Sequence, residues 1–178
     1  MGRRASVGVM GAANDLLLDG YDRIAQSVPD VLDGLGTDGA AWRPDGESNS
    51  VGWLVWHLTR IMDDHLAGLT GDEQVLVAEG YDDRLGLDVP AGDTGYGHST
   101  DDVAKVRFAD LDALAGYHRA VQERAAAYLA TVTDLDRVVD ERWDPPVTLG
   151  VRLVSVLDDA ARHIGQAQYL RGLVDRRA

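Results

Sequence analysis

An apolar seam near the C-terminus constrains the fold of this 178-residue chain more than any other feature. Between residues 149 and 174, seam positions recur at alternating steps of four and three. That spacing places them along one side of a long helix, where they can pack against other helices. The seam comprises Leu149, Leu153, Val156, Ala160, His163, Ala167, Leu170 and Val174. It predicts a helix that forms part of a bundle core.

Two predicted helices occupy the N-terminal third of the chain. Residues 8–28 have apolar side chains at steps of three and four, and Pro29 is expected to kink or restart that helix. The second helix begins after Ser50, a favourable N-cap, and ends at Gly68 or Gly71. It is apolar around much of its circumference, which predicts a central, buried position.

Two more long helices follow, one from about residue 109 to 130 and one from Thr148 to about 175. Residues 37–50 form a connection, and residues 70–100 lack clear periodicity. A stretch of that length inside a compact protein indicates a functional loop or lid, with disorder as the alternative. No segment is a convincing strand. The prediction is an all-α four-helix bundle in a single domain, with a long connection between helices 2 and 3.

The charge balance narrows the range of partners. The chain has 17 Lys and Arg against 30 Asp and Glu, a formal net charge of -13, which repels phosphate backbones and anionic membranes. We therefore expect neither nucleic acid nor a membrane as a partner. No apolar run is long enough for a transmembrane helix, and residues 1–7 do not resemble a signal peptide. The absence of cysteine excludes disulfides and a thiol nucleophile and fits a cytoplasmic location.

Asp159 and His163 are four residues apart and therefore face the same side of the C-terminal helix. If the second helix packs beside it, His57 reaches the same point. Two imidazoles and a carboxylate can hold a divalent cation with one position open, the pattern of a catalytic site. Zinc, nickel, iron(II) and manganese all accept such ligands. A single histidine on an apolar face is, however, more often a hydrogen-bonded core residue.

Several segments resemble the DinB-like superfamily of four-helix metalloproteins, which includes mycothiol-dependent transferases and maleylpyruvate isomerases. Residues 50–58, Ser-Val-Gly-Trp-Leu-Val-Trp-His-Leu, and residues 162–172, Arg-His-Ile-Gly-Gln-Ala-Gln-Tyr-Leu-Arg-Gly, resemble its two signature helices. The loop Gly-Tyr-Gly-His at residues 95–98 is similar to actinobacterial members. The resemblance covers roughly residues 10–175.

The resemblance implies that His57 and His163 are metal ligands. Where the family usually has a further histidine, this chain has Asp159, and the maleylpyruvate isomerase branch has a Glu there. An Asp side chain is one methylene shorter than Glu, so Asp159 must come closer to the metal to act as a ligand. Zinc or nickel is the expected ion, and mycothiol is the expected thiol co-substrate. Members of the family often dimerise through their helices, and the resemblance therefore implies a homodimer as a candidate oligomeric state.

Other polar residues have weaker claims to a role. His98 is a candidate acid–base group, and Arg162 and Arg171 are candidates for binding a carboxylate of the substrate or thiol. The alternative for His98 is an exposed loop histidine without a catalytic role, and the alternative for the two arginines is a surface salt bridge. His65 lies about 80° round the helix from His57 and is not expected to be a ligand, and His118 is expected in the core.

The functional prediction is a metal-dependent transferase or isomerase that uses a low-molecular-weight thiol and a small electrophile. Because the chain has no cysteine, the thiol must come from a second molecule. Two alternatives stay open at this point. One is a non-catalytic bundle that binds a metal or small ligand, and the other is a family member with a degenerate metal site.

Overall fold

A computed structural model of the protein describes residues 9–177. Its four long helices are α1 (Val9–Leu32), α3 (Val51–Thr70), α7 (Leu111–Leu129) and α8 (Leu149–Asp175). The connections contain α2 (Gly36–Ala41), α4 (Val75–Ala78), α5 (Tyr81–Leu85), α6 (Thr100–Lys105), β1 (Val138–Asp140) and β2 (Val147–Thr148). The long helices confirm the predicted helical bundle. The expected helix start at residue 8 and the reading of residues 1–7 lie outside the described residues.

The long helices pack so that α3 and α8 share an extensive contact. α1 lies against α7 and α8, and α3 also contacts α7. Every residue from Val51 to Arg60 is buried, as the apolar circumference of this helix predicted. None of the described helices combines the length and the hydropathy needed to cross a membrane.

The C-terminal seam packs as its spacing predicted. Six of its members are buried in the common core, while His163 and Val174 are partly exposed. Thr148 caps the start of α8, since its hydroxyl accepts a hydrogen bond from the N–H of Val151 at 3.4 Å. The seam therefore fixes which side of α8 faces the core.

The ends of α3 and α6 follow the capping signals of the sequence. The Ser50 hydroxyl accepts from the N–H of Trp53 at 3.2 Å, and Gly71, with φ of 78°, ends α3. Ser99 and Asp102 form a reciprocal capping box at the start of α6. The Ser50 cap fixes the beginning of the helix that carries His57.

Some expectations about the connections were wrong. The chain between residues 37 and 50 contains most of α2, and the stretch from 70 to 100 contains α4 and α5. An antiparallel hairpin, β1–β2, precedes α8, although no strand was expected. These elements are too short to show periodicity in a sequence. In addition, α1 continues through Pro29 to Leu32 and does not restart there.

Candidate metal centre

Three potential metal ligands meet where α3 packs against α8. His57 comes from α3, and Asp159 and His163 come from successive turns of α8. One ligand atom from each of the three side chains lies within 4.8 Å of the others. The His57 residue is buried, whereas the Asp159 and His163 side chains are partly exposed. The cluster thus has a buried inner side and a partly exposed outer side.

Aromatic packing fixes the orientation of the two imidazole rings. The ring of Trp53, one turn before His57 on α3, stacks on His57 with centroids 4.6 Å apart and an angle of 13° between planes. The edge-to-face contact between His57 and His163 has a centroid separation of 4.8 Å. Trp53 also contacts His163 edge-on, with ring centroids 6.2 Å apart. The indole therefore restricts the motion of both rings.

A backbone carbonyl determines which nitrogen of His57 is free. Nδ1 of His57 lies 2.5 Å from the carbonyl oxygen of Thr94. A carbonyl oxygen can only accept a hydrogen bond, so Nδ1 must carry the hydrogen and donate it. The neutral ring then presents an unprotonated Nε2. A histidine that binds a metal is commonly oriented in this way, through its other nitrogen.

The ring of His163 is also oriented by a hydrogen bond from Nδ1, but to a different acceptor. Its Nδ1 lies 3.0 Å from Oε1 of Gln166, an oxygen that can only accept, so Nδ1 donates. Its Nε2 lies 3.5 Å from Oδ1 of Asp159. Both imidazoles are therefore held through Nδ1, and their Nε2 atoms are the available ligands.

The pKa values of the three side chains are shifted in different directions. Burial lowers the pKa of His57 and outweighs the opposing effect of the Thr94 carbonyl. The hydrogen bond to Asp159 raises the pKa of His163, despite partial burial. Burial acts to raise the pKa of Asp159, but the hydrogen bond and charge of His163 prevail and the pKa is lowered. A cation at this point would take the place of a proton on Nε2 of His163.

The residues fit a divalent cation. Oδ2 of Asp159 is buried and has no hydrogen-bond partner among residues 9–177. A buried carboxylate oxygen without a partner is costly, and a bound cation would remove that cost. Ligands at ~2.0–2.1 Å from a tetrahedral zinc are about 3.3 Å apart, close to the 3.5 Å between His163 and Asp159. Asp159 thus reaches the cluster although it is shorter than Glu.

Two open clefts have residues of α8 in their linings, and neither lining includes His57, Asp159 or His163. One has a volume of about 560 Å³ and is lined in part by Arg162, Gln166 and Tyr169. The other, of about 670 Å³, includes His65 and Arg152 near the hairpin. Because Gln166 also accepts the hydrogen bond of His163, the first cleft directly adjoins the candidate centre.

His98 lies in the loop that covers the start of α3. Its Nδ1 accepts a hydrogen bond from Nε1 of Trp53 at 3.1 Å, so the hydrogen is on Nε2. Nε2 donates to the carboxylate of Asp93, with an oxygen at 2.9 Å. Only 8% of its side chain is exposed, so it is not the exposed loop histidine of the alternative reading. Both nitrogens hold the loop in place, and an acid–base role for His98 stays a prediction.

The two candidate arginines occupy different environments. Arg162 is exposed, pairs with Asp158 at 2.8 Å and lines the smaller cleft. Arg171 donates to the carbonyl oxygens of Val31, at 2.9 Å, and Asp33, at 2.6 Å. Those bonds tie α8 to the end of α1. Of the two, Arg162 is the one placed to meet a ligand.

Sequence reasoning missed the groups that hold the two imidazoles. Thr94 acts through its backbone, which has no signature in the sequence, and Gln166 is one turn from His163, where its spacing could have indicated it. Asp64, seven residues after His57 on α3, accepts from Gln74 at 2.8 Å. His65, as expected, is outside the cluster.

The fold and the cluster together define a class: a helical bundle with a candidate His-His-Asp metal centre between two of its long helices. The family model for mycothiol-S-transferases matches residues 17–176, and the chain belongs to this DinB-like family.

A solved structure supports the assignment of the fold. The chain is similar to a conserved protein of Enterococcus faecalis, with 32% sequence identity and a TM-score of 0.84. The match covers 90% of this chain and 95% of the other. No curated protein gives a significant match.

Proposed function

We propose that the protein is a metal-dependent S-transferase that joins a low-molecular-weight thiol, mycothiol by the family's name, to a small electrophile. One observation carries the proposal. His57, Asp159 and His163 bring one ligand atom each to within 4.8 Å of one another, at the contact of α3 and α8. The family match supports the thiol chemistry, and the absence of cysteine from the chain requires that the thiol come from a co-substrate.

The division of labour follows from the contacts of each residue. His57 and His163 would hold the ion through Nε2, and Asp159 through a carboxylate oxygen. A divalent ion held there would favour the thiolate form of a thiol that binds to it, and the thiolate is the nucleophile. Thr94 and Gln166 orient the imidazoles from their Nδ1 sides. Zinc and nickel both suit this donor set.

The cleft lined by Gln166 supplies room for a substrate beside the cluster. The smaller cleft has a cationic group in Arg162, an exposed aromatic ring in Tyr169 and an amide in Gln166. An anionic or polar ligand can pair with the guanidinium and lie against the ring. We infer that Arg162 rather than Arg171 contacts such a ligand, because Arg171 is engaged with backbone carbonyls of α1 and the residues after it.

Metal content tests the centre directly. The purified protein is expected to contain close to one zinc or nickel ion per chain, as measured by inductively coupled plasma mass spectrometry. His57→Ala and His163→Ala should lose it. His65→Ala is the matched control, since His65 also lies on α3 but outside the cluster, and it should keep the metal. A metal-free wild type that cannot be loaded with zinc or nickel contradicts the proposal.

Turnover then separates a transferase from a protein that only binds metal. Mycothiol and monochlorobimane serve as thiol and electrophile, and the formation of the fluorescent adduct is followed before and after chelation. We expect chelation to abolish turnover and added zinc or nickel to restore it. Equal rates with and without metal would remove the ion from the reaction, and a loaded protein without turnover on a panel of thiols indicates a binding role.

A further inference from the structure

A buried arginine lies one turn after His57 on α3. Arg60 is 0% exposed. Its Nη1 donates to the hydroxyl of Tyr117 at 3.0 Å, and its Nη2 donates to Oε1 of Gln74 at 2.9 Å. The nearest carboxylate is that of Asp63, at 3.5 Å. A guanidinium so far from water requires a full set of hydrogen-bond acceptors.

Backbone carbonyls of one loop complete that set. Nε of Arg60 donates to the carbonyl oxygen of Asp93 at 3.0 Å, and Nη2 donates to that of Ala91 at 2.6 Å. The rigid fork of the guanidinium therefore holds two carbonyls, two residues apart, in fixed positions. The following residue, Thr94, supplies the carbonyl that accepts from His57.

Asp63 does not compete for these contacts. Its two oxygens accept from the N–H groups of Val75 and Leu76, at 2.8 and 2.9 Å, and from the hydroxyl of Tyr117 at 2.7 Å. It neutralises the buried charge and anchors α4, while the donors of Arg60 remain directed at the loop. The pair thus connects the interior of α3 to residues 91–93.

The loop backbone lies directly against the His57 ring. Gly95 has φ of 84°, and a Cβ built on it would be 2.9 Å from Nδ1 of His57 and 2.9 Å from Cζ3 of Trp56. No side chain fits there, and L-residues disfavour that backbone conformation. The N–H of Gly95 donates to Asp93 at 2.8 Å, which ties the position of Gly95 to the residue that Arg60 holds.

We propose that Arg60 is a positioning residue for the metal centre: it holds the 91–95 loop so that the Thr94 carbonyl keeps His57 in the tautomer with a free Nε2. Arg60 itself does not reach the cluster. Its effect passes through two carbonyls, one peptide segment and the hydrogen bond to Nδ1. The inference rests on the proposed function for the identity of the bound ion, but the tautomer can be observed in the metal-free chain.

Zinc affinity of the metal-free full-length protein, measured by competition with a chromophoric chelator, tests this assignment. Arg60→Lys keeps the charge beside Asp63 but not the fork, and should weaken zinc binding by about ten- to a hundredfold, the usual cost of losing a group that orients a ligand. Arg124→Lys is the control: Arg124 also donates to a backbone carbonyl, that of Glu73, which lies outside residues 91–95. It should bind zinc as the wild type does.

A second pair of variants approaches the same contact from the loop. Gly95→Ala should weaken zinc binding, since its Cβ displaces the loop from His57. Gly97→Ala carries a comparable backbone strain, with φ of 76°, but its Cβ meets nothing within 4 Å. It should leave zinc affinity unchanged. Equal affinity in Gly95→Ala and wild type would overturn the proposal.

Long-range proton–nitrogen NMR of the metal-free protein supplies a readout that a merely structural role would not move. The wild type should show one His57 tautomer, with hydrogen on Nδ1, and Arg60→Lys a mixture. If Arg60→Lys does not fold, the double variant Arg60→Met/Asp63→Asn removes both charges together and takes its place. A single Nδ1–H tautomer in the folded variant overturns the proposal, whereas a wild type that binds no zinc contradicts the proposed function alone.

Discussion

Nε2 of His163 lies 3.5 Å from Oδ1 of Asp159, one turn earlier on α8, close enough for an ion pair when the imidazole carries a proton on Nε2. The arrangement has two consequences. It stabilises the charged imidazole, and it places that proton where a cation would bind. Proton and metal therefore compete for the same atoms.

Replacing Asp159 with Asn should lower the pKa of His163, because the charge and hydrogen bond of Asp159 are what raise it. It should also weaken metal binding by at least about tenfold, since loss of even an indirect partner commonly costs that much. NMR titration of the histidine Cε1 resonances and zinc competition measure the two effects. Asp158→Asn is the control, because Asp158 pairs with Arg162 on the surface. An unchanged His163 pKa in Asp159→Asn contradicts the assignment.

Metal affinity should depend on pH with a definite sign. The pKa of His163 is raised, so its Nε2 becomes protonated first as the pH falls, and affinity should then decrease by about tenfold per pH unit. The pKa of His57 is lowered, so its protonation steepens the decrease only at lower pH. Zinc competition across a series of buffers gives the profile. In Asp159→Asn the first decrease should begin at lower pH, and a flat profile would exclude His163 as a ligand.

The N-cap of α3 has a stability effect that can be measured separately. Ser50→Ala removes the hydroxyl that accepts from the N–H of Trp53, and should lower the free energy of unfolding by about 1 kcal/mol. Urea denaturation measures the change. Ser155→Ala is the control, because its exposed hydroxyl only donates to a carbonyl within α8, and its effect should stay within about 0.5 kcal/mol. Equal losses in the two variants would contradict a specific capping role.

The features that depend on a regular spacing of residues could be predicted from the sequence. The seam of α8 and the apolar circumference of α3 specify long buried helices, and the four-residue step from Asp159 to His163 places both on one face. His57 was expected at the same point if the second helix packed beside α8, and the resemblance of two short motifs implied the same residue. The structure brings the three side chains together.

The parts that depend on single contacts between distant segments could not be predicted. The Thr94 carbonyl meets His57 across 37 residues, and any residue type has such a carbonyl. The β1–β2 hairpin pairs three residues with two, which is too few for an alternating pattern. Arg60 and Asp63 did leave a signal in the sequence, since two opposite charges three residues apart in a largely apolar helix indicate a buried pair.

His118 makes stability depend on pH through the core instead of the metal centre. It is 2% exposed on α7, and burial lowers its pKa to about 4. The hydroxyl of Thr59 donates to the Val55 carbonyl at 2.7 Å, so Nδ1 of His118 must donate to that hydroxyl. Its Nε2 is buried without a partner among the described residues, and a proton there would introduce an unpaired charge.

The sign of the effect follows from where the proton binds first. As the pH falls below about 6.5, the unfolded chain protonates His118 while the folded chain does not until about 4, so the stability that the neutral ring contributes above 6.5 is progressively lost. Over that interval the loss is about 3 kcal/mol. His118→Asn keeps a donor near Nδ1 and cannot titrate, so its unfolding free energy should fall less than that of wild type between pH 6.5 and 4 in urea titrations. Val121→Ala, a fully buried position on the same helix, should lower stability by about 2 kcal/mol at both pH values and keep the wild-type pH dependence. Identical pH dependence in His118→Asn and wild type would show that His118 is not the group responsible.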